Sequence, residues 1–167
     1  MTDQPIHGSR AAAAPGDARP ASTPCTCFKV RSLARRVTQL YDDTLAPSGL
    51  RITQYALIAH ARRPKGAPAP TVSDLAAALV TDRTTLTRNL RPLIAAGLVR
   101  VEAGGDARSK AVRVTDAGEQ AYRVARPLWK AAQARVREIA GARAIGRLEG
   151  LADEIVPLLD PRSRARG

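Results

Sequence analysis

The chain has 167 residues, enough for one domain with a sizeable core, and 27 Lys and Arg against 15 Asp and Glu give it a net charge of +12 and a sequence pI near 11.1. That balance favours a polyanionic partner. Nucleic acid and an acidic membrane surface both fit that charge, but no apolar run is long enough to cross a bilayer and no secretory-type stretch is present, so the chain is expected in the cytoplasm with no membrane partner.

Residues 1–24 are rich in Ala, Pro, Gly and Ser with almost no large apolar groups, and are expected to be a disordered tail. From Phe28 the pattern becomes helical: Phe28, Leu33, Val37, Leu40, Tyr41 and Leu45 recur on one face until Pro47 and Gly49 stop the run. Ile52, Tyr55, Ala56 and Ile58 then predict a second helix that ends before "PKGAPAP". In "TVSDLAAAL", Thr71 and Asp74 have capping-box spacing, which predicts a short third helix carrying Leu75 and Leu79. A fourth follows after Val80-Thr81, with Leu86, Leu90, Leu93 and Ile94 on its buried stripe and Gly97 in the stop position. Pro92 is expected to kink it near its end. "LVRVE" and "AVRVT" alternate on either side of "AGGDARSK" and predict a two-stranded hairpin with a basic tip. Thr115 caps a long helix over residues 116–140, expected to bury Ala121, Val124, Ala125, Leu128, Ala132, Val136 and Ile139, with Gly141 as its stop. A last helix offers Ile145, Leu148, Leu151, Ile155, Leu158 and Leu159, and residues 161–167 form a basic tail.

The fourth helix carries the chemistry. Its leucine stripe leaves Thr84, Thr85, Arg88 and Arg91 facing outward, and hydroxyls and guanidinium groups are what base edges and phosphates require. Asp82, the lone acid, is placed to cap the helix start. Helix, tight turn, helix and basic ribbon make a winged helix-turn-helix, in which the second helix enters a major groove and the ribbon tip reaches a minor groove. Arg108 and Lys110 are the tip cations, and Asp106 is spaced either to hold Arg108 extended or to cap the turn. One Phe, one Trp and three Tyr leave little for base stacking, so the expected partner is double-stranded DNA rather than single strands. A winged-helix module that binds an acidic protein is the competing reading. No nucleophile with its base, paired carboxylates, phosphate loop or metal cluster is present in the pattern, so neither an enzyme nor a cofactor is expected, and two Cys with two His do not readily complete a structural zinc site.

Three pieces in order, "LYDDTLAPSGLRITQY", "DRTTLTRNLRPL" followed by "AAGLV", and Asp106-x-Arg108 before Val114-Thr115 and Gly118, resemble the MarR family of bacterial transcription regulators. The resemblance runs from about Cys25 to Leu159. It implies a mostly α fold with a small β-hairpin wing: a single unit over residues 25–160, its winged helix-turn-helix at about 52–115 and its dimerisation helices at about 25–46 and 116–160. It also implies a homodimer on a pseudo-palindromic operator, acting as a repressor released by an effector. Apolar surface on the terminal helices independently favours a dimer, with Leu148, Leu151, Ile155 and Leu159 as its core; burial within one chain is the alternative.

Two effectors are compatible with the pattern. The family pocket between dimer helices and winged domain suits a small anionic aromatic or phenolic ligand, for which Tyr41, Tyr55, His60 and Trp129 are the candidate lining residues. The other is a thiol switch at "PCTCFKVR", where the helix dipole, Lys29 and Arg31 would favour a thiolate. Cys27-Phe28, Leu40-Tyr41 and Gln54-Tyr55 resemble the branch that senses organic hydroperoxides. That resemblance implies oxidation of Cys27 and a thiolate held with the help of Tyr41. Cys25 is near enough in sequence to resolve a Cys27 sulfenic acid, but a bridge so close on a helix is strained, and linkage to the partner chain is the alternative. Arg31 and Ile52 stand where that branch carries further tyrosines.

Overall fold

A computed structural model of the chain describes residues 25–64, 66–104 and 109–160. The two expected tails and the wing residues Asp106 and Arg108 lie outside these. Helix α1 (Thr26–Leu45) runs into a 3-10 turn (Ala46–Ser48), where Gly49 adopts φ 73° and lets the chain reverse. Helix α2 (Ile52–Ala61) starts where the Ile52 amide donates to Asp42 of α1 at 2.8 Å and the Arg51 amide donates to Gln54 at 2.9 Å. Helix α3 (Val72–Ala78) opens on the expected capping box: the Asp74 amide donates to Thr71 Oγ1, and the Thr71 amide donates back to the Asp74 carboxylate.

Helix α4 (Arg83–Ala95) is capped by Asp82, which accepts from the Thr85 amide at 2.8 Å. It closes on Gly97 at φ 67°, with Leu98 and Gly97 amides donating back to Leu93 and Ile94 carbonyls. Pro92 removes one rung, yet the helix continues to Ala95, the ring facing solvent. Strands β1 (Val99–Ala103) and β2 (Lys110–Val114) pair antiparallel in the register Val99 to Val114 and Ala103 to Lys110. Helix α5 (Asp116–Ala140) is capped by Thr115 and packs against α1; helix α6 (Ala142–Leu158) follows after Gly141.

One apolar cluster joins these elements. Leu45 and Leu50 meet Leu57 and Ile58 of α2, Leu75 of α3, Leu86, Leu90 and Leu93 of α4, Val99 and Val112 of the hairpin, and Ala125 of α5. Each such aliphatic side chain contributes about 1.5–3 kcal/mol by leaving water. That cluster fixes α4 by its inner stripe and leaves the opposite face free. Gly118 is required where α5 begins, because a Cβ there would collide with the Leu98 carbonyl oxygen.

The burial pattern departs from expectation at three places. Ile94 is 43% exposed, since it points beside the wing rather than into the core. Val124 and Ile139 of α5 are exposed, because α1 and α2 cover only part of that long helix. On α6 only Ile145 is buried; Leu148, Leu151, Ile155 and Leu159 face solvent, so burial within one chain does not occur.

Candidate nucleic-acid interface

At about 100° per residue, α4 divides into three sectors. Leu86, Leu90 and Leu93 form the buried one. Thr84, Arg88 and Arg91 point to the opposite side and are exposed. Arg83, Thr87 and Ile94 form a third stripe on the flank toward the wing. Arg83, Thr84, Thr87, Arg88 and Arg91 together line a shallow groove of about 350 Å³. Thr85 corrects the expectation: it is half-buried and gives its hydroxyl to Asp82 at 2.6 Å, completing the cap instead of joining the outward face. Arg83 and Thr87 were absent from the expected set, although the stripe of Arg83, Thr87 and Arg91 at intervals of four is visible in the sequence.

Unpaired cations gather on this surface. Ion pairs elsewhere neutralise Arg51 with Asp42, Arg62 with Glu119, Arg100 and Arg113 with Glu102, Arg135 with Glu138, and Arg137 with Glu149. None of the pairs among the described residues involves Arg83, Arg88, Arg91 or Lys110. The Asp82 carboxyl is held below the ordinary carboxylate range by the Thr85 hydroxyl and then the Thr85 amide, so its charge is spent on the cap at the helix start. Lys110 is exposed at the first position of β2, on the wing side of α4.

The proteins this chain is similar to bear on that surface. A family model described as "MarR family" matches residues 48–109. The transcriptional regulator MosR of M. tuberculosis, solved in complex with DNA, is 40% identical, with 78% of this chain and 98% of that one covered and a TM-score of 0.63. The chain belongs to the MarR family. It is accordingly a DNA-binding transcription regulator and not an enzyme. MarR of E. coli complexed with operator DNA shares the fold at 20% identity, covering 78% and 93% of the two chains, with a TM-score of 0.67. So does CouR of Rhodococcus jostii RHA1 bound to p-coumaroyl-CoA, at 20% identity, 79% and 91% coverage and a TM-score of 0.64. Comparison with curated proteins gave no significant match.

In this member of the MarR family the four aromatic-ligand candidates do not meet in a cavity. Tyr55 is buried between Tyr122, 5.3 Å away, and Trp129, 5.8 Å away, in a stack that joins α2 to α5. Arg62 closes the stack, lying 4.0 Å over the Tyr122 ring while its Nε donates to Glu119 at 2.9 Å. Burial, then the Tyr122 hydroxyl, pushes the Tyr55 phenol above its ordinary range, so it stays neutral. Tyr41 is buried near Arg137 and Glu149, and burial raises its phenol too. His60 is exposed and its Nδ1–H donates to the Ala56 carbonyl at 2.8 Å. An open groove of about 860 Å³ lies elsewhere, along α1 and the start of α2, lined by Arg31, Arg35, Asp42, Asp43 and Arg51 among others.

Cys25 and Cys27 are both exposed and neither is in a disulfide. Cys25 precedes α1 in extended backbone, φ −69° and ψ 110°, while Cys27 lies in its first turn. Cys27 and Tyr41 are fourteen residues apart on that one helix, roughly 21 Å along its axis, so a single chain does not bring them together.

Proposed function

We propose that this chain is a homodimeric repressor whose α4 enters the major groove of a pseudo-palindromic operator. Thr84, Arg88 and Arg91, with Thr87 beside them, read base edges, and the wing carrying Asp106, Arg108 and Lys110 reaches the adjacent minor groove. The carrying observation is a helix anchored by three buried leucines whose opposite face holds guanidinium groups without counter-charge. A phosphate backbone supplies partners for those cations, and the DNA complex of the 40% identical MosR favours a duplex over an acidic protein. The exposed apolar row on α6 supports the dimer, with half-sites about one helical turn, ~34 Å, apart.

For the effector we favour oxidation of Cys27. An organic hydroperoxide is reduced to its alcohol as the Cys27 thiolate becomes a sulfenic acid, and the Cys25 thiolate then displaces hydroxide to form a disulfide. Exposure of both thiols supports this, as does the extended backbone at Cys25, which spares a bridge between two helical residues. A small anionic ligand is the second reading; Arg31 and Arg35 in the α1 groove favour it, Asp42 and Asp43 in the same lining oppose it, and the stack of Tyr55 and Trp129 weighs against an aromatic ligand between them.

Footprinting of the DNA flanking the gene, with and without organic hydroperoxide, tests both parts on the parent, Arg88→Ala and Cys27→Ser proteins. The parent should protect two half-sites and release them on oxidation. Arg88→Ala should lose about 1–3 kcal/mol of discrimination, and Cys27→Ser should stay bound. No sequence-specific protection, with a stable acidic protein complex in its place, would make the chain an interaction module. Release of Cys27→Ser as readily as the parent would remove the thiol switch.

A further inference from the structure

The seam between α2 and α5 is built differently from the aliphatic core beside it. Tyr55 lies on α2 and Arg62 closes that helix, while Glu119, Tyr122 and Trp129 lie along α5. Intervals of three and seven residues keep each set on one side of its helix. The five side chains interleave, alternating between the two helices in the order Trp129, Tyr55, Tyr122, Arg62, Glu119. The Tyr55 ring is 5.8 Å from Trp129 and 5.3 Å from Tyr122, with planes inclined by 21° and 9°. The Arg62 guanidinium sits 4.0 Å over the Tyr122 ring, and its Nε donates to both Glu119 oxygens at 3.0 and 2.9 Å. On one side of this ladder, α2 is fixed to α4, because Leu57 and Ile58 share the core with Leu86, Leu90 and Leu93. On the other, α5 packs along α1 and α6, the helices whose apolar faces remain exposed.

We propose that this ladder sets the angle of the winged unit on α5, and that Tyr55, Tyr122, Trp129, Arg62 and Glu119 thereby determine which spacing between operator half-sites the dimer accepts. The proposal rests on the homodimeric DNA-binding reading above and assigns it a specificity determinant outside the reading face. Aliphatic packing is non-directional, so two helices held by leucines alone can tilt with little change in buried area. Stacked rings, and a guanidinium over a ring, lose their overlap as soon as their planes part, and Tyr55 is held between two such rings. A tilt of α2 carries α4 with it in both subunits. One extra base pair asks the two α4 helices to move apart by ~3.4 Å and to turn by about 35° around the duplex. A fixed seam excludes that spacing, whereas a loose one admits it.

The test measures binding to the operator, to versions with one base pair added or removed between its half-sites, and to a single half-site. The parent is expected to lose about tenfold or more on either altered spacing. Tyr122→Leu should cut that penalty to about threefold or less, and Arg62→Ala should at least halve it, both binding the single half-site as the parent does. Tyr122→Phe keeps the stack and should keep the penalty. Leu75→Ala, which lowers stability through the core of α3, should keep it too. Trp129 is the chain's only tryptophan, so its emission and near-ultraviolet dichroism read the seam directly. Both signals should change in Tyr122→Leu and hold in Tyr122→Phe. Melting curves identify any variant that fails to fold, and two separate positions on the ladder keep the outcome decisive. Full spacing penalties in both Tyr122→Leu and Arg62→Ala would overturn this proposal alone. So would equal relaxation by Leu75→Ala, or relaxed spacing with the parent's Trp129 signals. A parent that protects a single half-site and shows no preference among the three operators would remove the dimeric operator reading and this proposal with it.

Discussion

Val80 ends α3 in a left-handed conformation, φ 49°, with 75% of its surface exposed. Its amide donates to Ala77 and the Thr81 amide donates to Ala76, the same closing pattern that Gly97 makes at the end of α4. Gly97 takes that geometry without cost, whereas a β-branched residue meets its own backbone there. Val80→Gly is therefore expected to raise stability by about 1 kcal/mol, net of the glycine's greater freedom when unfolded, and denaturant unfolding will measure it. A fall in stability would mean that the valine side chain earns its conformation through a contact. Gly97 as a stop and Asp82 as a cap were legible in the sequence because their chemistry is local. Nothing local marks Val80 as left-handed; the tight turn between two packed helices imposes it.

At the scale of elements, the caps make the starts of α3 and α4 pH-sensitive. Hydrogen bonds from Thr71 lower the Asp74 carboxyl and those from Thr85 lower that of Asp82. The folded chain thus holds these protons less tightly than the unfolded one. The resulting stabilisation is full above the unfolded carboxylate value, about 4, and is lost as pH falls below it through the depressed folded values. Asp82→Asn keeps an oxygen to accept the Thr85 amide but does not titrate. Melting temperature against pH should therefore fall less steeply for this variant below about pH 4. An acid limb as steep as the parent's would place the titration elsewhere. Element identity and order were readable from periodicity and caps, down to α5 beginning at Asp116. Ile94 and Thr85 were not, because a helical stripe gives angles around an axis and leaves open where the neighbouring wing and cap stand.

Across the whole molecule, the apolar surface is unevenly distributed. Phe28, Val30 and Leu33 of α1, Ile139 at the end of α5, and Leu148, Leu151, Ile155 and Leu159 of α6 are all exposed, while the helix-turn-helix and hairpin bury theirs apart from Val80, Ile94 and Val101. A second copy of the chain would cover such a face, and two α4 helices would then be held at a fixed spacing. Leu151→Glu should yield monomers in sedimentation or light scattering and weaken operator binding at least tenfold, since each half-site would bind alone; an intact dimer would move the interface off α6.

The sequence by itself determined the helices, their caps, the hairpin and the cationic face of α4, because periodicity and capping act over a few residues and need no knowledge of neighbours. Only the tertiary structure decided that Tyr55 and Trp129 are locked in a stack with Tyr122 and Arg62, and that Arg83, Arg91 and Lys110 share one cleft. Those facts join residues distant along the chain, and the direction in which packed elements face one another is set by the core they share.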